Sequence, residues 1–228
     1  MKIKNEKEVL QAFCGHDDFV NPWMKTPFLC ERVNKVCATD GHYMLMVDSK
    51  LLRRKYETHA FNGLEFIHMQ NIDTIVTMAD IEAAIHSFHL EPEMVTVEGE
   101  DCECSACDGD GEVQWEYTDP DGHVYYMDYE CPVCNGTGET PKQNKVPTGR
   151  MLPPQDAVVE IDGAKFLVIY LMKALEGLKL LGCQQLRHTV AYENTANLFD
   201  VQEGITLLIM PVFCPDNQGV KVKTTKKE

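Results

Sequence analysis

Two copies of the pattern Cys-x-x-Cys-x-Gly-x-Gly constrain this chain more than any other feature. The first pair is Cys104 and Cys107, and the second is Cys131 and Cys134. Two residues between the thiols let one tight turn present both sulfurs to a single ion, about 2.3 Å away for zinc. The following glycines let the chain turn back while backbone N–H groups approach the sulfurs. The pattern predicts one structural zinc ion held by four thiolates, with no open position for catalysis.

A hairpin signal lies between the two cysteine pairs. Strand-like runs at Glu112–Tyr117 and Val124–Glu130 flank a turn containing Asp-Pro-Asp-Gly. Pairing of these runs brings the two distant cysteine pairs together. Cys102 and His123 lie close enough in sequence that either could replace one ligand, and the spacing leaves this open. A disulfide pair and a redox-active Cys-x-x-Cys are the other interpretations of the same residues.

Length and charge limit the class of protein. The chain has 228 residues, ten of them cysteine, and a net charge of −15. Its long periodic segments argue against a disulfide scaffold, and its longest apolar stretch, Phe166–Leu181, is interrupted by charges. The N-terminal residues show no secretory signal, so we expect a cytoplasmic protein without membrane association. The acidic charge disfavours nucleic-acid binding by the whole surface but leaves a local basic face open.

Helical and strand patterns are mixed without regular alternation, which favours an α+β fold. Helices are predicted to open at Asn5, near Thr77, and after Asp162-Gly163. Six strand-like runs lie between them: Phe28–Cys37, Tyr43–Val47, Glu93–Val97, Ala157–Ile161, Gln185–Tyr192 and Ile205–Val212.

Composition changes abruptly near Gly99 and again near Gly149. The cysteine-rich segment between these points predicts an inserted zinc module over residues 99–149. The α+β domain would then be discontinuous, built from residues 1–98 and 155–216. Residues 217–228 are polar and basic, and we expect a flexible tail there.

The repeated Cys-x-x-Cys-x-Gly-x-Gly pattern resembles the cysteine-rich zinc domain of DnaJ-type co-chaperones. That family carries four repeats and two zinc sites, whereas this chain has two repeats, enough for one site. The chain shows no J-domain His-Pro-Asp motif. The resemblance therefore implies a zinc-binding β-hairpin module and does not imply a co-chaperone.

Two stretches of the flanks stand out: the turn Ala-Thr-Asp-Gly-His-Tyr at 38–43 and the Met210-Pro211 end of a late strand. Together they resemble the bacterial DNA polymerase III sliding clamp, its beta subunit, which has a similar recurrent turn and a similar terminus. The segments Ile75–Val97 and Tyr170–Leu175 are similar to further clamp elements. The resemblance implies helices packed on antiparallel sheet and covers about 1–98 and 155–213.

In the clamp family, this turn and this terminus line a pocket that binds a short linear peptide of a protein partner. By resemblance, one wall here would comprise Thr39, Gly41, His42 and Tyr43, with Tyr43 standing where the family has arginine. The other wall would comprise Leu208, Met210 and Pro211. The helices of clamps face DNA, and the matching basic residues here would be Lys165, Lys173 and Lys179.

The function predicted from these observations is a non-enzymatic accessory protein of DNA replication or repair that binds a partner peptide. Contact with DNA and assembly into a homo-oligomer stay open at this point. The alternative is a zinc-ribbon protein-interaction or chaperone-like module unrelated to DNA. Binding of a clamp-pocket peptide distinguishes the two.

Overall fold

The computed structural model describes residues 2–16, 21–60, 71–190 and 196–226. It is a mixed, sheet-rich structure with few helices, in agreement with the predicted α+β class. The helices are α1 (Glu6–Gln11), α2 (Met78–His86) and α3 (Val168–Leu180). Among the described residues, no helix combines the length and apolar character needed to cross a bilayer.

Fifteen strands are present in the described part of the chain. In order they are β1 (Phe28–Cys30), β2 (Lys35–Thr39), β3 (Tyr43–Asp48), β4 (Asn71–Thr77), β5 (Glu91–Glu103), β6 (Glu112–Thr118), β7 (Val124–Glu130), β8 (Glu139–Leu152), β9 (Val158–Ile161), β10 (Ala164–Leu167), β11 (Gln185–Val190), β12 (Asn197–Gln202), β13 (Ile205–Ile209), β14 (Val220–Lys221) and β15 (Thr225–Lys226). Short 3₁₀ turns occupy Pro22–Lys25 and Ser49–Leu51.

The chain divides into two compact units. The first comprises Met1–Glu91 and Leu152–Glu228, and the second comprises Pro92–Met151. We describe each unit by itself.

The first unit is built around an eight-stranded sheet with the order β1-β2-β3-β13-β12-β11-β4-β15. The register pairs Tyr43 with Ile209 and Leu45 with Leu207, so an N-terminal strand and a C-terminal strand are neighbours in the middle of the sheet. A second, three-stranded sheet has the order β10-β9-β14. Sheet contacts between distant parts of the chain therefore define this unit.

The main core lies between the helices and the large sheet. Its fully buried members come from α1, α2, α3, the large sheet and the small sheet, and include Leu10, Ile81, Leu178, Leu45 and Phe166. Burial of one such side chain contributes about 1.5–3 kcal/mol. A second apolar cluster contains Met44, Leu198 and Leu208 among its members.

The helix α2 begins as predicted. Thr77 is its N-cap, and the Thr77 side chain accepts a hydrogen bond from the Asp80 N–H. Ile81, Ala84 and Ile85 are buried at the expected helical spacing. At α1, by contrast, the Asn5 side chain makes no capping hydrogen bond at the predicted helix start.

Two element predictions need correction. The third helix starts at Val168 rather than after Asp162-Gly163, because these two residues form a tight turn between β9 and β10. Both have positive φ, 49° and 86°, as type I′ hairpin turns require. The predicted strand Phe28–Cys37 is a hairpin instead, since β1 and β2 pair with each other. Of the predicted strand Gln185–Tyr192, β11 covers Gln185–Val190, and the last two residues lie outside the described part of the chain.

The C-terminal segment also differs from expectation. Residues 217–228 were expected to be a flexible tail, but β14 pairs with β9 and β15 pairs with β4. Val222 is buried, and the Thr224 hydroxyl donates to the Asp162 carboxylate over 2.7 Å. The basic, polar composition of this segment gave no indication of its strand pairing, of the buried Val222 or of the hydrogen bond from Thr224.

In the second unit, β6 and β7 form a two-stranded antiparallel sheet in register from Glu112↔Glu130 to Thr118↔Val124. The predicted hairpin is therefore present. The longer strands β5 and β8 form another two-stranded sheet.

Candidate metal centre and candidate peptide pocket

The four predicted ligands lie together at one end of the β6–β7 hairpin. Their sulfur atoms are all within 4.8 Å of one another, and all four residues are buried. The Cys104 and Cys131 sulfurs are 3.9 Å apart, and those of Cys107 and Cys134 are 3.8 Å apart. A tetrahedron with metal–sulfur bonds of about 2.3 Å has sulfur–sulfur edges of roughly 3.8 Å. The cluster therefore has the dimensions of a tetrahedral metal site.

Backbone hydrogen bonds build the two cysteine turns in the same way. The Gly111 N–H donates to the Cys107 sulfur over 3.2 Å, and the Gly138 N–H donates to the Cys134 sulfur over 3.3 Å. Such N–H groups stabilise thiolate charge and fix the orientation of the ligands.

The two turns are also tied to each other. The Cys104 N–H donates to the Gly138 carbonyl and the Cys131 N–H donates to the Gly111 carbonyl, each over 2.8 Å. A Cβ on Gly138 would lie 2.3 Å from the Gly109 carbonyl oxygen, and one on Gly111 would lie 2.5 Å from the Gly136 carbonyl oxygen. The glycines are therefore required for the backbones of the two repeats to approach each other.

Burial and the backbone N–H donors act on the thiols of this cluster in opposite directions. Burial raises the pKa of Cys107 to about 12. Burial acts on Cys134 in the same direction, but the Gly138 N–H and the neighbouring thiols outweigh it and lower its pKa to about 7. Four thiolates at these distances repel one another, so their simultaneous ionisation requires a cation among them. The donor set, all sulfur and tetrahedral, fits zinc.

The two alternative ligands point to other partners. The Cys102 thiol is exposed and donates to the Thr140 carbonyl oxygen. The His123 ring contacts the Asp119 carboxylate at 3.1 Å, in the turn between β6 and β7. Neither belongs to the group of four sulfurs.

The turn from Thr39 to Tyr43 is fixed by its own side chains. The buried Thr39 hydroxyl donates to the Tyr43 carbonyl over 2.7 Å and accepts from the Gly41 N–H over 3.0 Å. The Asp40 carboxylate accepts from the N–H groups of His42 and Tyr43. Gly41 has φ 98°, a value that favours glycine. The sequence thus specifies one rigid turn at the start of β3.

This turn meets the end of β13. The Met210 N–H donates to the His42 carbonyl over 2.9 Å, directly beyond the Tyr43↔Ile209 pair. The His42 ring stacks on Tyr170 of α3, with the ring centroids 3.9 Å apart. The two segments that the sequence assigns to opposite walls are therefore adjacent in space.

The predicted wall residues do not all share one face. Tyr43 is buried in the main core, where its ring contacts that of Phe13 edge-on at 5.8 Å. Leu208 belongs to the second apolar cluster together with Met44, its partner across the strands. Because side chains alternate along a strand, Tyr43 and Leu208 lie on opposite faces of the sheet. Their separation limits any shared pocket to the end of the strands.

Exposed apolar groups surround this strand end. Met210 is 38% exposed, Pro211 is half-buried, and Phe213 is 75% exposed. The backbone beneath them is held in place, since the Val212 N–H donates to the Lys165 carbonyl and the Lys165 amine donates to the Cys214 carbonyl, both over 2.8 Å. Phe213 and Tyr170 were not among the residues predicted for the pocket. For Phe213, the apolar run that continues past Pro211 was a signal in the sequence.

The three predicted DNA-facing lysines have different surroundings. Lys165 lies in β10, not on α3, and its amine is engaged as described. Lys179 forms an ion pair with Glu82, with 2.7 Å between nitrogen and oxygen. Lys173 is exposed on α3. The structure thus does not bring the three amines into one basic face on α3.

A cavity of about 580 Å³ lies elsewhere in the first unit. Lys35, Asp48, Arg187 and Asp200 are among its lining residues. None of the residues predicted for the peptide pocket lines it.

No protein-family profile matches the chain, and neither does any curated protein. Among solved structures, it is similar to bacterial DNA polymerase III beta subunits. The Borrelia burgdorferi subunit matches at a TM-score of 0.45 with 10% identity, over 92% of this chain and 60% of that one. The putative Eubacterium rectale subunit gives 0.42 with 12% identity, over 94% and 65%. The Bacillus subtilis sliding clamp gives 0.40 with 12% identity, over 92% and 62%. The chain spans less than two thirds of the length of these clamps.

Proposed function

We propose that this chain is a non-enzymatic accessory protein of DNA replication or repair that binds a short linear peptide of a protein partner. The observation that carries the proposal is the hydrogen bond between Met210 and His42, which joins the two segments singled out by the clamp resemblance in sequence. More than 160 residues separate these segments in sequence. Contact between segments so far apart in the chain does not follow from a short sequence motif alone.

The binding site in this proposal is the strand end rather than the full predicted set. An apolar anchor of the peptide packs against Met210, Pro211 and Phe213, beside the His42 turn. Binding energy at such sites is concentrated in a few side chains that become buried. The rigid turn and the Lys165 contacts hold the site in place before binding, which lowers the entropic cost of association.

The inserted module, in the same proposal, holds one structural zinc ion through Cys104, Cys107, Cys131 and Cys134. The sulfur–sulfur distances and the paired N–H donors support this assignment. All four ligand positions are protein sulfurs, so the ion stabilises the module and has no position for a substrate.

Titration of a fluorescently labelled sliding-clamp-binding peptide tests the proposal. Wild type should bind, and Met210→Ala and Phe213→Ala should each weaken binding by about tenfold, since each removes an anchor contact. The matched control is Met94→Ala, because Met94 is also an exposed methionine, 50% accessible, in the other unit. Equal affinity of all four proteins, or no binding by wild type at high micromolar concentration, would refute the proposal.

The second candidate is a zinc-ribbon interaction or chaperone-like module unrelated to DNA. The exposed apolar side chains of the β6–β7 hairpin favour it. It predicts that the clamp-binding peptide does not bind. Substitutions on the hairpin should instead change the affinity for partner proteins.

A further inference from the structure

The β6–β7 hairpin carries most of its large apolar side chains on one face. The cross-strand pairs are Val113↔Tyr129, Trp115↔Met127 and Tyr117↔Tyr125. Because side chains alternate along a strand, these pairs project from the same side of the sheet. We call this set the aromatic strip: Val113, Trp115, Tyr117, Tyr125, Met127 and Tyr129.

Most of the aromatic strip is open to solvent. Val113 packs against the cysteine cluster, but the other five side chains are between 55% and 63% exposed. The rings of Tyr117 and Tyr125 stack at 6.4 Å between centroids, which forms a flat apolar surface. A contiguous exposed surface of this kind marks an interaction site more often than an isolated exposed residue does.

The opposite face of the same hairpin is acidic. The segment 112–130 contains no lysine or arginine and six acidic residues, namely Glu112, Glu116, Asp119, Asp121, Asp128 and Glu130. The whole second unit, Pro92–Met151, has fourteen acidic residues against three basic ones. The strip therefore lies in a strongly negative field, which selects a positively charged ligand.

We propose that the aromatic strip binds a short basic segment of a protein partner, in which lysine or arginine residues alternate with apolar ones. Cations pack favourably on the faces of tryptophan and tyrosine rings. The acidic residues add long-range attraction and raise the rate of association. The apolar side chains of the segment cover the ring edges and Met127. This inference does not depend on the peptide site at Met210.

The negative charge of this unit favours a basic protein segment over two other possible ligands of the aromatic strip. Exposed aromatic rings can also stack on the bases of single-stranded nucleic acid, but the phosphates would be repelled by the acidic residues of this unit. A second copy of the chain would bring the same negative charge against the strip. Like charges placed across an interface disfavour the complex.

The size of the strip agrees with a short segment. Aromatic side chains bury about 150–250 Å² each, so the four exposed rings of the strip, each roughly 60% exposed, offer on the order of 500 Å². A stable complex buries about 800 Å² on each partner. The strip therefore suits a weak, reversible complex with a linear segment.

The test uses the full chain and a fluorescein-labelled peptide of alternating lysine and leucine, with anisotropy as the readout. Tyr129→Ala removes a ring from the strip. Tyr126→Ala is the matched control, because both tyrosines lie in β7 with 62% exposure and project from opposite faces. We expect Tyr129→Ala to weaken binding by about tenfold and Tyr126→Ala by less than about twofold. Raising the salt concentration should weaken binding to the wild-type protein, because salt screens the attraction between the acidic residues and the lysines of the peptide.

Three outcomes would overturn the proposal. The first is equal binding by the Tyr126 and Tyr129 variants, which would leave only non-specific charge attraction. The second is tighter binding of a labelled oligothymidine, or of a glutamate–leucine peptide, than of the lysine–leucine peptide. The third is concentration-dependent dimerisation that Tyr129→Ala abolishes, which would assign the strip to a second copy. Zinc content and circular dichroism of each variant check that the hairpin is folded.

Discussion

Two glycines of the second cysteine repeat provide a sharp test of how the metal centre is built. Gly136 and Gly138 are two residues apart and have nearly the same backbone conformation, with φ 80° and 76°. Their surroundings differ. A Cβ on Gly136 would lie 3.5 Å from the Glu130 side chain, an ordinary contact, whereas one on Gly138 would lie 2.3 Å from the Gly109 carbonyl oxygen.

The expected loss of free energy has two contributions, the backbone conformation at each glycine and the close approach of the added methyl group. An alanine in the left-handed region costs about 1–2 kcal/mol at either position. At Gly138 the added methyl must also push apart the two cysteine turns, which disturbs the Gly138 N–H donated to Cys134. We expect a total of at least about 3 kcal/mol there, since loss of that charge-assisted bond alone costs about 1.5–3 kcal/mol.

Zinc affinity is the appropriate measurement, because binding of a structural metal is coupled to folding of its module. In competition with a chromophoric chelator, Gly136→Ala should lose about five- to thirty-fold in affinity and Gly138→Ala more than about a hundred-fold. Gly111→Ala should behave like Gly138→Ala, since its Cβ would lie 2.5 Å from the Gly136 carbonyl oxygen. Equal losses at Gly136 and Gly138 would show that backbone conformation alone sets the cost and would refute the close-approach argument.

Three further predictions concern the ligands, the core and the division into units. Purified protein should contain about one zinc per chain; Cys131→Ser should lose it, and Cys183→Ser should retain it in elemental analysis. Glu6 accepts bonds from the N–H groups of Arg53 and Arg54 and from the Tyr56 hydroxyl, and these outweigh burial and lower its pKa. Its stabilising effect is therefore present above the unfolded-state pKa and lost as pH falls through the lower folded-state pKa. Glu6→Gln should cost about 1–3 kcal/mol at pH 7 in urea unfolding and progressively less under acid. Replacing residues 99–149 with a short Gly/Ser linker should leave the first unit folded by circular dichroism, because closure entropy depends weakly on loop length.

Elements that are formed by contacts between residues close in sequence could be predicted from the sequence. The Thr77 cap and the spacing of Ile81 and Ile85 were sufficient for α2. The cysteine repeats and the Asp-Pro-Asp-Gly turn were sufficient for the hairpin and for the grouping of four thiols. In each case the contacts that form the element connect residues whose spacing is visible in the sequence.

Signals that depend on distant partners were misread or missed. Asp162-Gly163 is equally compatible with a helix start and a hairpin turn, and only the pairing of β10 with β9 decides between them. The short strands β14 and β15 are stabilised by β9 and β4, far away in sequence. Their own residues carry little apolar periodicity, so composition suggested a frayed end.

The split of the predicted pocket has a similar cause. Residues 208 and 43 match the resemblance in order along the chain, but the face on which a side chain projects depends on strand register. The register Leu208↔Met44 and Ile209↔Tyr43 places consecutive residues on opposite sides of the sheet. Motif matching does not contain that information.

The pairing of β3 with β13 also has a consequence for synthesis of the protein. About 160 residues separate the end of β3 from the start of β13, and a ribosome adds roughly 5–20 residues per second. The inner edge of β3 thus emerges from the ribosome many seconds before its partner exists. The hairpin of the second unit needs only neighbours in sequence, so it can form during this interval. The nascent chain would carry a completed hairpin module while β3 still lacks its partner strand, which leaves an unpaired strand edge open to chaperones or to other nascent chains.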